Sequence, residues 1–146
     1  MEGTSVRTVV VGVDGSAESE RALRFAARLT QDLSDAELVV VFARYVPAFW
    51  LPDHVAEDEF GDLLDASAKL VDEMAVAELS AEDFPWRVLT REGEPSRVLC
   101  DVAVEHGSDT IVVVGRRSWS TVHDMLLGSV SNRLVHRGEC SVLLVN

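Results

Sequence analysis

Three short stretches carry the residue types needed to hold a phosphorylated ligand. The first is Asp14-Gly15-Ser16, which breaks an apolar run. A carboxylate placed just after a buried strand can accept hydrogen bonds from ribose hydroxyls or an adenine amine. It can equally cap the helix that follows or its turn, and the two roles are compatible. The second stretch is Gly115-Arg116-Arg117-Ser118, after another apolar run. Gly115 has no side chain, so it either lets the backbone approach a ligand closely or simply ends a strand. The arginines add positive charge in a chain of 13 basic and 25 acidic residues, net −12, or they are solvated or paired with nearby acids. The third is Gly128-Ser129-Val130-Ser131 at a helix start, where open amide N–H groups and the helix dipole favour an anion. Ser129 and Ser131 add hydroxyl donors there, and Ser129 also suits a plain N-cap.

Other chemistry finds little support. Cys100 and Cys140 form no disulfide framework and lack paired metal-ligand spacing, so both are expected to be ordinary reduced thiols. His54, His106, His123 and His136 are scattered, without the i, i+4 pairing of a helical metal site. The neighbours His123 and Asp124 come with no nucleophile, so acid–base catalysis by them is not expected. A Walker loop ending in Gly-Lys-Ser/Thr is absent. So is the Ser-Gly-Gly-x-Asp-Ser loop that an ATP pyrophosphatase would carry after its first strand. Any turnover would be slow hydrolysis of a bound nucleotide. The acidic balance opposes binding to nucleic acid or to anionic membrane surfaces. Residues 1–7 lack an apolar signal core, and no run of about 18 apolar residues occurs, so a soluble, cytoplasmic protein is expected.

These groups need elements to position them. With 146 residues, 47% of them hydrophobic, the chain suits one domain spanning 1–146 with a packed core. Apolar runs alternate with helix-period segments, which predicts a parallel sheet with crossover helices. Strands are expected at 8–13, 37–44, 87–91, 110–114 and 141–145. The helix after the first strand runs to about Leu33, with Ala22, Leu23, Ala26, Leu29 and Leu33 on one face. A long helix from about Val55 to Leu79 turns Phe60, Leu63, Leu64, Val71, Met74 and Ala75 inward. Pro95 suits the first turn of the next helix, which buries Val98, Leu99, Val102 and Ala103 and ends at Gly107. A short helix from about Gly128-Ser129 to His136 precedes Gly138. The aromatic stretch 45–52 is a lid, a partner patch or a loop packed on the long helix. Trp119 either packs beneath the loop that carries it or blocks the cleft.

A three-layer doubly wound sheet of order 3-2-1-4-5 makes the first and fourth strands neighbours where the winding reverses. Ligands sit outside the carboxyl ends of the strands at such a reversal. That order is taken from the fold class, and it selects Asp14-Gly-Ser16 and Gly115-Arg-Arg-Ser118.

Val10-Val-Gly-Val-Asp-Gly-Ser16, Gly93-Glu-Pro95, Asp109-Thr-Ile-Val-Val-Val-Gly115, Leu127-Gly-Ser-Val130 and Ser141-Val-Leu-Leu-Val145 follow one another in order along almost the whole chain. In that order and spacing they resemble the universal stress protein family. The family's nucleotide-binding branch has a phosphate loop of Gly, two residues, Gly, nine residues, then Gly with Ser or Thr. Here Gly115 and Gly128-Ser129 match, nine residues separate position 118 from Gly128, and Ser118 replaces the second glycine. If that position needs a left-handed backbone, serine costs roughly 1–2 kcal/mol. Against roughly 8 kcal/mol for a micromolar ligand, such strain weakens binding without abolishing it. The resemblance implies an adenine pocket of Asp14, its neighbour Gly15, the backbone near Ala43, and Val114. It implies phosphate contacts from Gly115, Arg117, Ser118, Gly128, Ser129, Val130 and Ser131. ATP is the implied ligand, with ADP or AMP as variants and Mg left open. The family also implies a homodimer in which the last strands of two copies pair. A degenerate loop on a ligand-free dimeric regulator is the other reading.

Overall fold

A computed structural model describes residues 5–45, 57–116 and 129–146, apart from the side chains of 57, 58 and 129. Among the described residues five strands, β1 (Thr8–Gly12), β2 (Glu37–Arg44), β3 (Trp86–Glu92), β4 (Thr110–Gly115) and β5 (Ser141–Val145), form one parallel sheet. Their order is β3-β2-β1-β4-β5, as the fold class requires. Among the same residues four helices, α1 (Ala17–Asp32), α2 (Glu57–Leu79), α3 (Pro95–His106) and α4 (Ser129–Arg137), alternate with them.

The near-continuous apolar runs follow from burial on both sheet faces. Alternate residues divide between two cores. Val9, Val11, Leu38, Val40, Phe42 and Val113 pack with α1 and α2. Val10, Val39, Val41, Val112 and Val114 face the other way, toward α3 and α4. Thr8, Val9, Val10 and Val11 of β1 align with Thr110, Ile111, Val112 and Val113 of β4, so the first and fourth strands are the central neighbours. Burying each large aliphatic side chain in these layers contributes about 1.5–3 kcal/mol.

Helix α1 starts at Ser16, whose hydroxyl accepts from the Ser19 N–H, and Glu18 and Glu20 lie in its first turn, where the dipole favours negative charge. Its buried stripe is Ala22, Leu23, Ala26, Ala27 and Thr30, and Leu33 ends it with extended backbone. Helix α3 has Pro95 in its first turn and Gly107 as C-cap. In α2, Val71 and Ala75 are fully buried. The expectation for Leu63 is corrected: it is 62% exposed. The inward stripe of α2 is narrower than the apolar pattern suggests. Among the described residues no helix is long and apolar enough to cross a membrane.

Candidate functional site

At the carboxyl end of β1 the chain leaves the sheet through a hydrogen-bonded turn. The Val13 N–H donates to the Val41 carbonyl at 2.9 Å, holding the chain to β2 one residue past the strand. Asp14 Oδ1 then accepts from the Ser16 N–H at 2.9 Å. The Ser19 hydroxyl accepts from the Asp14 N–H at 3.3 Å and donates to the Ser16 carbonyl at 2.9 Å. Asp14 therefore shapes the turn, and Ser16 caps the helix. Gly15 has φ +92°, a conformation that side chains resist. A Cβ there would lie 3.0 Å from Leu70 Cδ2, so α2 presses on this turn. The three-residue spacing of Ser16 and Ser19 signals this capping, a cue that reading for ligand contacts alone misses.

Beside it, the carboxyl end of β4 is tied to α4. The Ser131 hydroxyl donates to the Gly115 carbonyl at 3.0 Å. Ser131 is fully buried, and Val130 is nearly so. The Ser131 hydroxyl is thus committed to fastening the first turn of α4 against the sheet, and Val130 packs into the core. Among the described residues α4 begins at Ser129, and first-turn backbone amides are what these residues would offer to an anion. Val114 on β4 and Ala43 on β2 are also buried, so each can present only backbone. Asp14 and the start of α4 therefore sit at the same end of adjacent central strands. Arg117, Ser118 and Gly128 lie outside the described residues, as do Trp119, His123, Asp124 and positions 46–52 of the aromatic stretch.

Charged groups are partly committed nearby. The Arg116 N–H donates to the Val145 carbonyl at 2.8 Å, and its guanidinium reaches the Asn146 side-chain oxygen at 3.3 Å. Arg133 of α4 pairs with Glu94 at 3.2 Å, linking α4 to the start of α3. Burial pushes the Glu94 carboxyl up, but hydrogen bonds from Ser96 and Arg97 outweigh it and hold the group below its ordinary value. Two hollows bear on the assignment. A small one of about 240 Å³, bordered by Glu18, Arg21, Arg116 and Val145, lies at the carboxyl end of the sheet. A larger one of about 720 Å³ lies at the opposite end. Its rim sets Asp35, Glu37, Glu82, Asp83 and Asp109 against Arg7, an acidic balance that repels a phosphate. Size alone would favour the larger hollow, whereas charge and strand direction favour the carboxyl end.

A doubly wound sheet whose reversal point carries a turn-forming aspartate and an anchored helix start defines a Rossmann-like domain of the adenine nucleotide hydrolase-like type. Solved structures agree in fold. Universal stress protein UspA from Lactobacillus plantarum superposes with a TM-score of 0.76 at 18% identity, covering 99% of this chain and 100% of that one. The chain belongs to the universal stress protein family, whose model matches residues 5–146. Universal stress protein Rv1636 of Mycobacterium tuberculosis is 30% identical over 154 residues, covering 98% of each chain. A universal stress protein crystallised in complex with cAMP is 28% identical, with a TM-score of 0.62 over 97% of this chain and 98% of that one.

Proposed function

We propose that this protein is a cytoplasmic stress-response module that binds an adenine nucleotide, ATP or ADP, and acts as a regulatory homodimer. The observation that carries the reading is the 3.0 Å bond from Ser131 to the Gly115 carbonyl, which anchors the first described turn of α4 beside the end of β1. The donor set fits an anion. The first-turn amides of α4 provide N–H groups and positive dipole, and Arg21 and Arg116 border the hollow at that end of the sheet. Asp14 would accept from the adenine amine or a ribose hydroxyl, with Gly15, Ala43 and Val114 lining the base through their backbone. Gly115, Arg117, Ser118, Gly128, Ser129, Val130 and Ser131 would hold the phosphates. The related protein in complex with cAMP supports the adenine-nucleotide class. Binding rather than turnover is proposed, because the groups assigned to the site orient and neutralise a ligand and none is assigned as the base that would activate water.

The replacement of the loop's second glycine by Ser118 favours a second reading, a dimeric regulator whose site has lost its ligand. Mass spectrometry of freshly purified protein, followed by calorimetry with ATP, ADP, AMP and cAMP, separates the two. The first reading expects bound nucleotide or a measurable affinity, lost in Gly128→Trp while circular dichroism is unchanged. Empty protein with no thermal shift at millimolar ATP would leave only the second.

A further inference from the structure

Cys100 and Cys140 are 40 positions apart in sequence, yet their sulfurs approach to 3.7 Å. They differ in setting. Cys100 sits mid-helix in α3 and is 1% exposed. Cys140 is half-buried on the bend between α4 and β5, two residues after Gly138 with φ +65°. It borders a groove of about 470 Å³ whose walls include Ala103, Gly107, Gly138 and Ser141.

We propose that the pair is a thiol–disulfide exchange site, in which Cys140 takes up a small-molecule disulfide from the groove and Cys100 resolves the adduct. The geometry assigns the roles. A disulfide has S–S near 2.05 Å, so the sulfurs must close by about 1.7 Å. The bend around Cys140 lies outside helix and strand and can supply that movement, whereas the Cys100 backbone is fixed within α3. Only Cys140 borders the groove by which a small disulfide could arrive.

In the first step the Cys140 thiolate, its proton released to solvent, attacks one sulfur of the small disulfide RSSR. The protein–SR bond forms, the RS–SR bond breaks, and RS⁻ leaves and is protonated. In the second step the Cys100 thiolate attacks Cys140 Sγ and expels a second RS⁻. Two protein thiols are oxidised, and RSSR is reduced to two RSH. The nucleophile must be a thiolate. Burial, then the hydrogen bond with Cys140, push the Cys100 thiol up to about 12. Burial also raises Cys140, but the same hydrogen bond lowers it, so Cys140 ionises first. Glu139 opposes ionisation at both sulfurs, and Arg137 favours it. Exchange is therefore slow at neutral pH and requires an abundant disulfide, as an oxidising challenge supplies.

The test incubates the full chain with excess oxidised glutathione, blocks remaining thiols by alkylation, and maps peptides by mass spectrometry. Wild type is expected to lose both alkylatable thiols and yield a linked Cys100–Cys140 peptide pair, with its melting temperature raised. Cys100→Ala should instead accumulate one glutathione on Cys140, and Cys140→Ser should leave Cys100 unmodified. Wild type that keeps two alkylatable thiols, or forms only disulfides between chains, would overturn the proposal. So would stable glutathione addition at Cys100. The wild-type measurement does not depend on whether the cysteine variants fold.

Discussion

Thr110 opens β4 with a buried side chain whose hydroxyl has no hydrogen-bond partner among the described residues. An unsatisfied buried hydroxyl is destabilising, and replacing it with an apolar group of the same shape removes that penalty. Thr110→Val is therefore expected to raise stability by about 1 kcal/mol, measured by urea unfolding. An unchanged or lower midpoint would show that the hydroxyl is satisfied in solution. Asp14 illustrates how much of a single residue's role the sequence discloses. Its position after an apolar run suits a turn, a ligand or both, and the 2.9 Å bond from Ser16 N–H shows the turn role, with which the proposed ligand role is compatible. Ser131 was legible only as a hydroxyl near a helix start. Its bond to the Gly115 carbonyl joins positions 16 apart, a pairing that local spacing does not encode. The meeting of Cys100 and Cys140 was invisible for the same reason, since it depends on how α3 lies against the segment before β5.

The start of α3 shows how one side chain can set an element's boundary. Gly93-Glu-Pro95 reads as a turn, and Pro95 does enter the first helical turn. The less evident part is Glu94, which acts as N-cap and accepts from the Ser96 and Arg97 N–H groups. Loss of such a cap typically costs about 1 kcal/mol, which is the expected deficit of Glu94→Ala near neutral pH. The folded carboxyl titrates below its ordinary 4.5, so its contribution is complete above that value and fades as pH falls through the folded pKa. Denaturation of both proteins across that range should show their stabilities converging on acidification. A constant gap would mean that packing, not the carboxylate, sets the difference. Other element boundaries were legible to within a residue or two. β3 extends one residue beyond each expected end, to Trp86 and Glu92, because its pairing with β2 continues through both, although Glu92 carries no strand signal and Trp86 directly follows Pro85. Leu63 departed further. Its helical spacing fits an inward face, but only tertiary packing decides how wide that face is.

Across the molecule, strand order came from the fold class rather than from any residue, because apolar runs state that strands are buried without naming their neighbours. Among the described residues the observed order leaves β3 and β5 at the edges. An apolar edge strand with unpaired backbone invites association, and the proposed dimer uses β5 for that purpose. The Arg116 N–H donates to the Val145 carbonyl, so Val145 turns its backbone groups toward β4. Successive residues of a strand alternate in this respect, and Val142 and Leu144 therefore direct their N–H and C=O groups to the free edge. Proline lacks the donor and is tolerated on an edge where that donor faces outward. Val142→Pro should thus remove a contact between subunits while sparing the ladder to β4. Light scattering after size exclusion is expected to report a dimer for wild type and a monomer for Val142→Pro, with circular dichroism unchanged. A monomeric wild type, or a folded proline variant that remains dimeric, would exclude pairing through this edge.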